Sequence, residues 1–283
     1  MNLWKVELSQ LFRSWRGWTL AVMYFLASIL AITIGILIDR TNGIATVAYD
    51  GVIDYYLLCS VPAGILFIGL VVSALSFDSN KNLSIFLRLR FSIKRILITK
   101  LLVYVALSEI LFISSFTLNF MLAYIFFDTS DAISIRWLLF GYLFNILSGV
   151  FYVCLIAFTS ATFKSTVASI LLTLAFVIGI PIFVGVATPI ELAVRGIITE
   201  TPPEKWSDVS YTLKVNDWWP TNISDTAAFY TVTESDIAQD KFVVNFEQVE
   251  LKPWFRLKPL ITSLILAPLL MISAWKTYTR REM

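Results

Sequence analysis

The sequence predicts an all-α polytopic membrane protein: six transmembrane helices, an N-terminal interfacial amphipathic helix and a small external cap between spans 5 and 6. Three observations lead there. Hydrophobic residues make up 58% of the 283-residue chain and charged residues 15%, where soluble domains carry about 25%. Mean hydropathy is +0.77. The apolar residues gather into six runs, each near the roughly 20 residues that cross a bilayer core. The charges are sorted by side. The expected organisation is residues 1–187 for the interfacial helix and spans 1–5, 188–258 for an external re-entrant helix and cap, and 259–283 for span 6 and a tail.

Residues 1–16 hold no span. Trp4, Leu8, Leu11, Phe12 and Trp15 fall on one helical face, with Lys5, Ser9, Arg13 and Arg16 largely opposite. An aromatic-rich, basic, amphipathic segment lies in the headgroup plane, so membrane lipid is its expected partner. The first apolar run follows Trp15-Arg16 and lacks a small-residue cleavage site, against a cleavable signal peptide.

The six runs lie near 17–38, 55–77, 98–127, 136–162, 166–187 and 259–276. Asp54-Tyr55-Tyr56, Arg136-Trp137 and Trp275-Lys276 pair charge with aromatic residues, as at water interfaces. With the N-terminus inside, cytoplasmic segments hold 13 Lys/Arg against three acids, and external segments hold nine against 16. The positive-inside rule favours this orientation, with both termini cytoplasmic in a multi-pass cell-membrane protein. The positive charge is thus a matter of topology, and no nucleic-acid partner is expected.

The stretch Ser76–Lys100 carries Lys81, Arg88, Arg90, Lys94, Arg95 and Lys100 against one acid, Asp78. Asp78 or Ser79 can cap a short helix there. Leu83, Phe86, Leu87 and Arg90 recur at i, i+3, i+4, i+7, an apolar stripe that a simple connector does not need. A helix running from after Ser92 to Phe127 would be about 50 Å long, against a hydrocarbon core of about 30 Å. Its first turns should project into the cytoplasm, joined to the basic loop.

Glu109 is the one ionisable residue well inside a span. It must face the bundle, be neutralised or line a wet cavity. It is either a gate, proton or substrate contact, or a protonated or paired packing residue aided by Ser108, Ser114 and Asn119.

Gly179-Ile180-Pro181 interrupts the fifth run and favours a kink. Thr188, Pro189 and Glu191 then read as N-cap, N1 and N3 of a capping box, opening a short external re-entrant helix. Residues 200–258 are acidic, polar and turn-rich. Tyr211, Leu213 and Val215 alternate with polar residues, as do Phe242, Val244 and Phe246, so short strands are expected. Trp206, Trp218, Trp219 and Trp254 can pack this cap or dip into the interface.

Histidine is absent, which removes the commonest metal ligand and general base. Cys59 and Cys154 sit in apolar runs without CxxC spacing, as small buried hydrophobes. The chain holds no Walker A loop, nucleophile elbow or metal-ligand cluster. No catalytic residue, cofactor or metal is assigned, and the chain is not expected to be an enzyme.

The plan resembles the membrane subunit of a type 2 ABC transporter, the exporter-permease family. The features that match are the amphipathic N-terminal helix, six spans and a first cytoplasmic loop with a short helix. Arg95-x4-Lys100-Leu101-Leu102, the helical segment after span 5 and Trp275-x4-Arg280-Arg281 also fit. The loop lacks the Glu-x-Glu-x-Gly and the proline that many relatives carry around its helix. The resemblance implies that Leu83, Phe86, Leu87 and Arg88 form a coupling helix docking on a separate cytoplasmic ATP-binding subunit, which would hold the ATP and Mg. It also implies a second permease copy or paralogue, and outward transport of a lipidic, glycan, peptide or drug-like substrate. Two alternatives stand beside it. One is a mechanical transmitter acting on an extracytoplasmic protein, for example in metalloenzyme maturation. The other is a secondary transporter in which Glu109 carries protons.

Overall fold

The computed structural model describes residues 3–42, 49–75, 91–126, 135–163, 165–195, 211–216, 218–220 and 258–280. Among them every regular element is a helix: α1 (Leu3–Arg13), α2 (Trp15–Asn42), α3 (Tyr49–Leu75), α4 (Ile93–Phe126) and α5 (Ile135–Thr162). α6 (Thr166–Leu174), a π-helical turn (Ala175–Gly179) and α7 (Ile180–Val194) follow without a break, then the short α8 (Tyr211–Asn216) and α9 (Lys258–Arg280). Among the described residues five stretches are long and apolar enough to cross a membrane: Trp15–Ile38, Leu58–Leu75, Ile93–Phe126, Thr166–Val194 and Lys258–Arg280. α5 contributes a shorter apolar run, Ile146–Thr162. The chain is a multi-pass membrane protein.

α2 packs along α3 and α9 along α5, while α4 touches α1, α2, α3, α5 and α9. Leu20 and Tyr24 of α2, Val71 and Leu75 of α3, Leu97 of α4 and Ala161 of α5 share one buried cluster. Tyr278 near the end of α9 donates to the Leu75 carbonyl at 2.8 Å, and Lys94 at the start of α4 lies 5.8 Å over the Trp275 ring. These contacts gather the Leu75, Lys94 and Tyr278 ends of three helices at one end of the bundle. A second cluster, with Ala27, Ala31, Tyr56, Phe116 and Ala123, fills the other half. There the rings of Phe112 and Phe116 stack at 5.4 Å, and Tyr56 meets Phe116 edge-on at 5.4 Å.

α1 and α2 are separate helices because Ser14 breaks the ladder. Its Oγ accepts from the Arg16 amide at 3.2 Å, the N-cap bond of α2. A Cβ on Gly17 would stand 2.7 Å from the Leu11 carbonyl oxygen, so the joint closes this tightly only with glycine there.

Three expectations are corrected. Thr188-Pro189-Glu191 does not open a new helix: α7 runs through Pro189 to Val194. Proline removes one backbone bond, whereas stopping a helix at apolar depth frees several groups with no water to take them. Phe183, Val186, Ile190 and Val194 continue an exposed apolar stripe across the proline. The kink expected at Gly179-Ile180-Pro181 takes the form of the π-turn just before Pro181, one way a helix absorbs a missing donor. Tyr211–Val215 is helical, not a strand. Its period-two pattern is short, and a carboxylate cap at its first turn decides the matter. Tyr56 is not an interfacial belt residue: it is fully buried in the bundle, since its hydroxyl finds a partner on α4.

Candidate functional site

The predicted coupling helix, Leu83, Phe86, Leu87 and Arg88, lies outside the described residues, as do Phe242, Val244 and Phe246. The described residues do include the helix that follows that loop in the chain. α4 starts at Ile93, directly beyond Phe91 and Ser92, and runs 34 residues. At 1.5 Å per residue that is about 51 Å, well beyond the roughly 30 Å apolar core. Its first turns are clasped by α1. Leu3, Glu7 and Leu11 form the inner face of α1, spaced at i, i+4, i+8. Leu3 packs with Ile96 and Phe91, and Leu11 joins the main cluster.

Between them lies a buried ion pair. Lys100 Nζ sits 2.9 Å from Glu7 Oε1 and donates to Oε2 at 3.0 Å; the side chains are 8% and 2% exposed. The cation thus lies within ion-pair distance of both carboxylate oxygens and hydrogen-bonds one of them, which offsets part of the cost of desolvating the two charges. In the sequence Glu7 counts only as an acid on the basic side. Its place in the Leu3-Glu7-Leu11 row was the available signal, but its partner 93 residues away was not legible. Trp4, Leu8, Phe12 and Trp15 all keep exposed faces, Trp15 most of all at 82%. The aromatic row is thus left exposed while Leu3, Glu7 and Leu11 are buried. Leu11, assigned to that row, turns inward instead.

Glu109 is 7% exposed in the bundle interior. Its Oε1 stands 2.7 Å from the point where a Cβ on Gly149 of α5 would lie, so glycine makes room for the carboxylate. Of the expected helpers, Ser108 donates to Val105 O at 2.8 Å and Ser114 to Ile110 O at 2.6 Å. Both hydroxyl hydrogens therefore go to α4 itself. Asn119, ten residues on, is about 15 Å away along the helix.

Glu191 has a different task from the one its sequence context suggests. Oε1 accepts from the Tyr211 amide at 2.6 Å; Oε2 accepts from the Thr212 amide at 2.9 Å and the Thr212 hydroxyl at 2.7 Å. Glu191 therefore caps α8 rather than α7. Arg195 Nη1 donates to Oε1 at 3.3 Å, and its guanidinium lies 4.8 Å over the Tyr211 ring. From this latch the chain returns along α7. Trp219 stacks on Phe176 in the π-turn at 6.2 Å and meets Phe151 edge-on at 6.4 Å. Phe176 is about 15 Å along the helix from Thr166 at 1.5 Å per residue, so Trp219 reaches the middle of the span. Trp218 packs under the buried Lys258, whose Nζ is 5.4 Å from its ring. Trp219 thus packs into the bundle, Trp218 stays partly exposed, and Trp206 and Trp254 lie outside the described residues.

No protein-family model matches the chain, and no characterised protein and no solved structure matches it either. Among the described residues no group of His, Cys, Asp and Glu is placed to hold a metal.

Proposed function

We propose that this chain is the permease subunit of an ATP-driven export complex of the type 2 ABC transporter kind. It would have six spans and both termini in the cytoplasm. It would move a lipidic, glycan, peptide or drug-like substrate outward with a separate ATP-binding subunit and a second permease. The observation that carries this reading is α4. One rod, longer than the membrane is thick, begins directly after the basic loop and is clasped at its base by α1 through Glu7 and Lys100. A push on the loop would travel along that rod into the bundle, which is what a subunit with no nucleotide site of its own needs. Purification in mild detergent followed by mass spectrometry should recover a nucleotide-binding protein with the chain. Transport by the chain alone in liposomes, without ATP, would overturn the reading.

Transmission to an external partner is a second reading, favoured by the Glu191 latch, which ties α8 to the π-turned span. Replacing residues 204–252 by a Gly/Ser linker separates the two. Export lost with ATPase activity retained supports the exporter. Export kept while one external protein loses activity supports the transmitter.

A further inference from the structure

Asn119 poses a question that neither reading answers. It lies on α4, one turn beyond Ser115, and is 0% exposed. Among the described residues neither Nδ2 nor Oδ1 has a hydrogen-bond partner. A primary amide in an apolar interior, with both its donors and its acceptor unused, is strongly disfavoured. Beside it lies a fully buried knot of hydroxyls. Ser28 of α2 donates to the Ser115 carbonyl at 2.7 Å, and the Tyr56 hydroxyl of α3 meets Ser115 Oγ at 2.6 Å. Ser115 Oγ itself donates to Phe112 O at 3.2 Å, so the hydrogen shared with Tyr56 comes from the tyrosine. Every hydroxyl hydrogen in the knot is then committed, and only lone pairs remain.

We propose that Asn119 anchors an internal water site between α2, α3 and α4. A water accepts from Nδ2 and donates to Oδ1, and its second hydrogen can go to a lone pair of the knot or to a second water. The chemistry selects a small neutral guest that both donates and accepts. A cation is opposed by the amide N–H groups, and an anion by the carbonyl oxygen. Small side chains lie in the same half of the bundle: Ala123, one turn beyond Asn119 on α4, and Ala27 and Ala31 of α2 are all buried there. The site is independent of the export reading. It would make this half of the bundle interior wet, where the apolar sequence around Asn119 suggests dry packing.

The test uses the full chain in lipid nanodiscs, imaged at a resolution that shows ordered waters elsewhere in the bundle. Density within hydrogen-bonding distance of both amide atoms of Asn119 is expected. An ordered Asn119 with no such density overturns the proposal. Thermal melting supplies a second readout. If the amide is hydrated, Asn119→Leu displaces a satisfied water and melts at or below the wild-type temperature. If the amide is dry and unpaired, Asn119→Leu removes a burden and melts several degrees higher, which also overturns the proposal. Should Asn119→Leu fail to fold, Asn119→Ala takes its place. It keeps room for the water and is expected to melt at or below the wild type, whereas a higher melt counts against the site.

Discussion

Lys100→Met tests the clasp between α1 and α4 most sharply. Methionine keeps much of the stem and volume of lysine but takes the cation from Glu7, whose side chain is 2% exposed. Breaking a buried pair by removing one partner costs about 3–5 kcal/mol, a shift of at least about a hundredfold in an equilibrium. The loss falls on the docking of α1 against α4, which Leu3 and Leu11 would then hold with the Trp18 indole bond to the Phe12 carbonyl. Leu3→Cys, introduced alongside replacement of Cys59 and Cys154, reports that docking through its rate of maleimide labelling. The packing lost at Leu3 is common to every variant compared. Labelling should rise by up to that factor in Lys100→Met, and fall back toward the parent in Glu7→Gln/Lys100→Met, where no buried charge is left unmatched. Equal labelling in the parent and Lys100→Met would refute the reasoning. So would single and double changes whose effects simply add, since residues in contact must show a coupling energy.

Three further outcomes are expected. Glu191→Ala removes three hydrogen bonds that cap α8 and should loosen it by about 1–2 kcal/mol, the upper range for a cap. Protection of a cysteine at Thr212 should fall, and unchanged protection would mean that Trp219 alone holds the segment. Gly149→Ala places a Cβ 2.7 Å from Glu109 Oε1 and should lower thermal stability by about 1–3 kcal/mol as an overpacking change. Glu109→Ala in the same background should relieve the clash, and failure to do so would place the cost elsewhere. Leu87→Asp, at the centre of the proposed coupling helix, should leave membrane insertion intact. Its effect is on association with the ATPase, lost by several kcal/mol, as for an unmatched interface charge. Unchanged substrate-stimulated ATPase activity in that variant would move the docking site.

Local and compositional features of the chain were legible in the sequence. The apolar runs set which stretches are helices, because in a bilayer a backbone must satisfy itself and a continuous helix does so. The start of α4 at Ile93 followed from the same logic, as did the exposed aromatic row Trp4, Leu8, Phe12 and Trp15 on α1. The orientation drawn from charge sorting, on the ground that cations resist translocation, is an expectation of a different kind. Pairing across the chain was not legible. Glu7 and Lys100 are 93 residues apart, and Glu191 and Tyr211 are 20 apart; nothing local marks either as a partner. The capping-box reading of Thr188-Pro189-Glu191 went astray for the same reason: a motif fitted to a helix start in water meets, at apolar depth, a chain that gains by continuing. Glu191 was left to cap the first turn of α8, and this made a helix of residues whose alternation suggested a strand. Asn119 was visible as a polar residue in an apolar run, but only the folded chain shows that its amide is fully buried with no hydrogen-bond partner among the described residues. Which segments enter the membrane is a property of composition; which polar groups meet inside it depends on distances that only the folded chain sets.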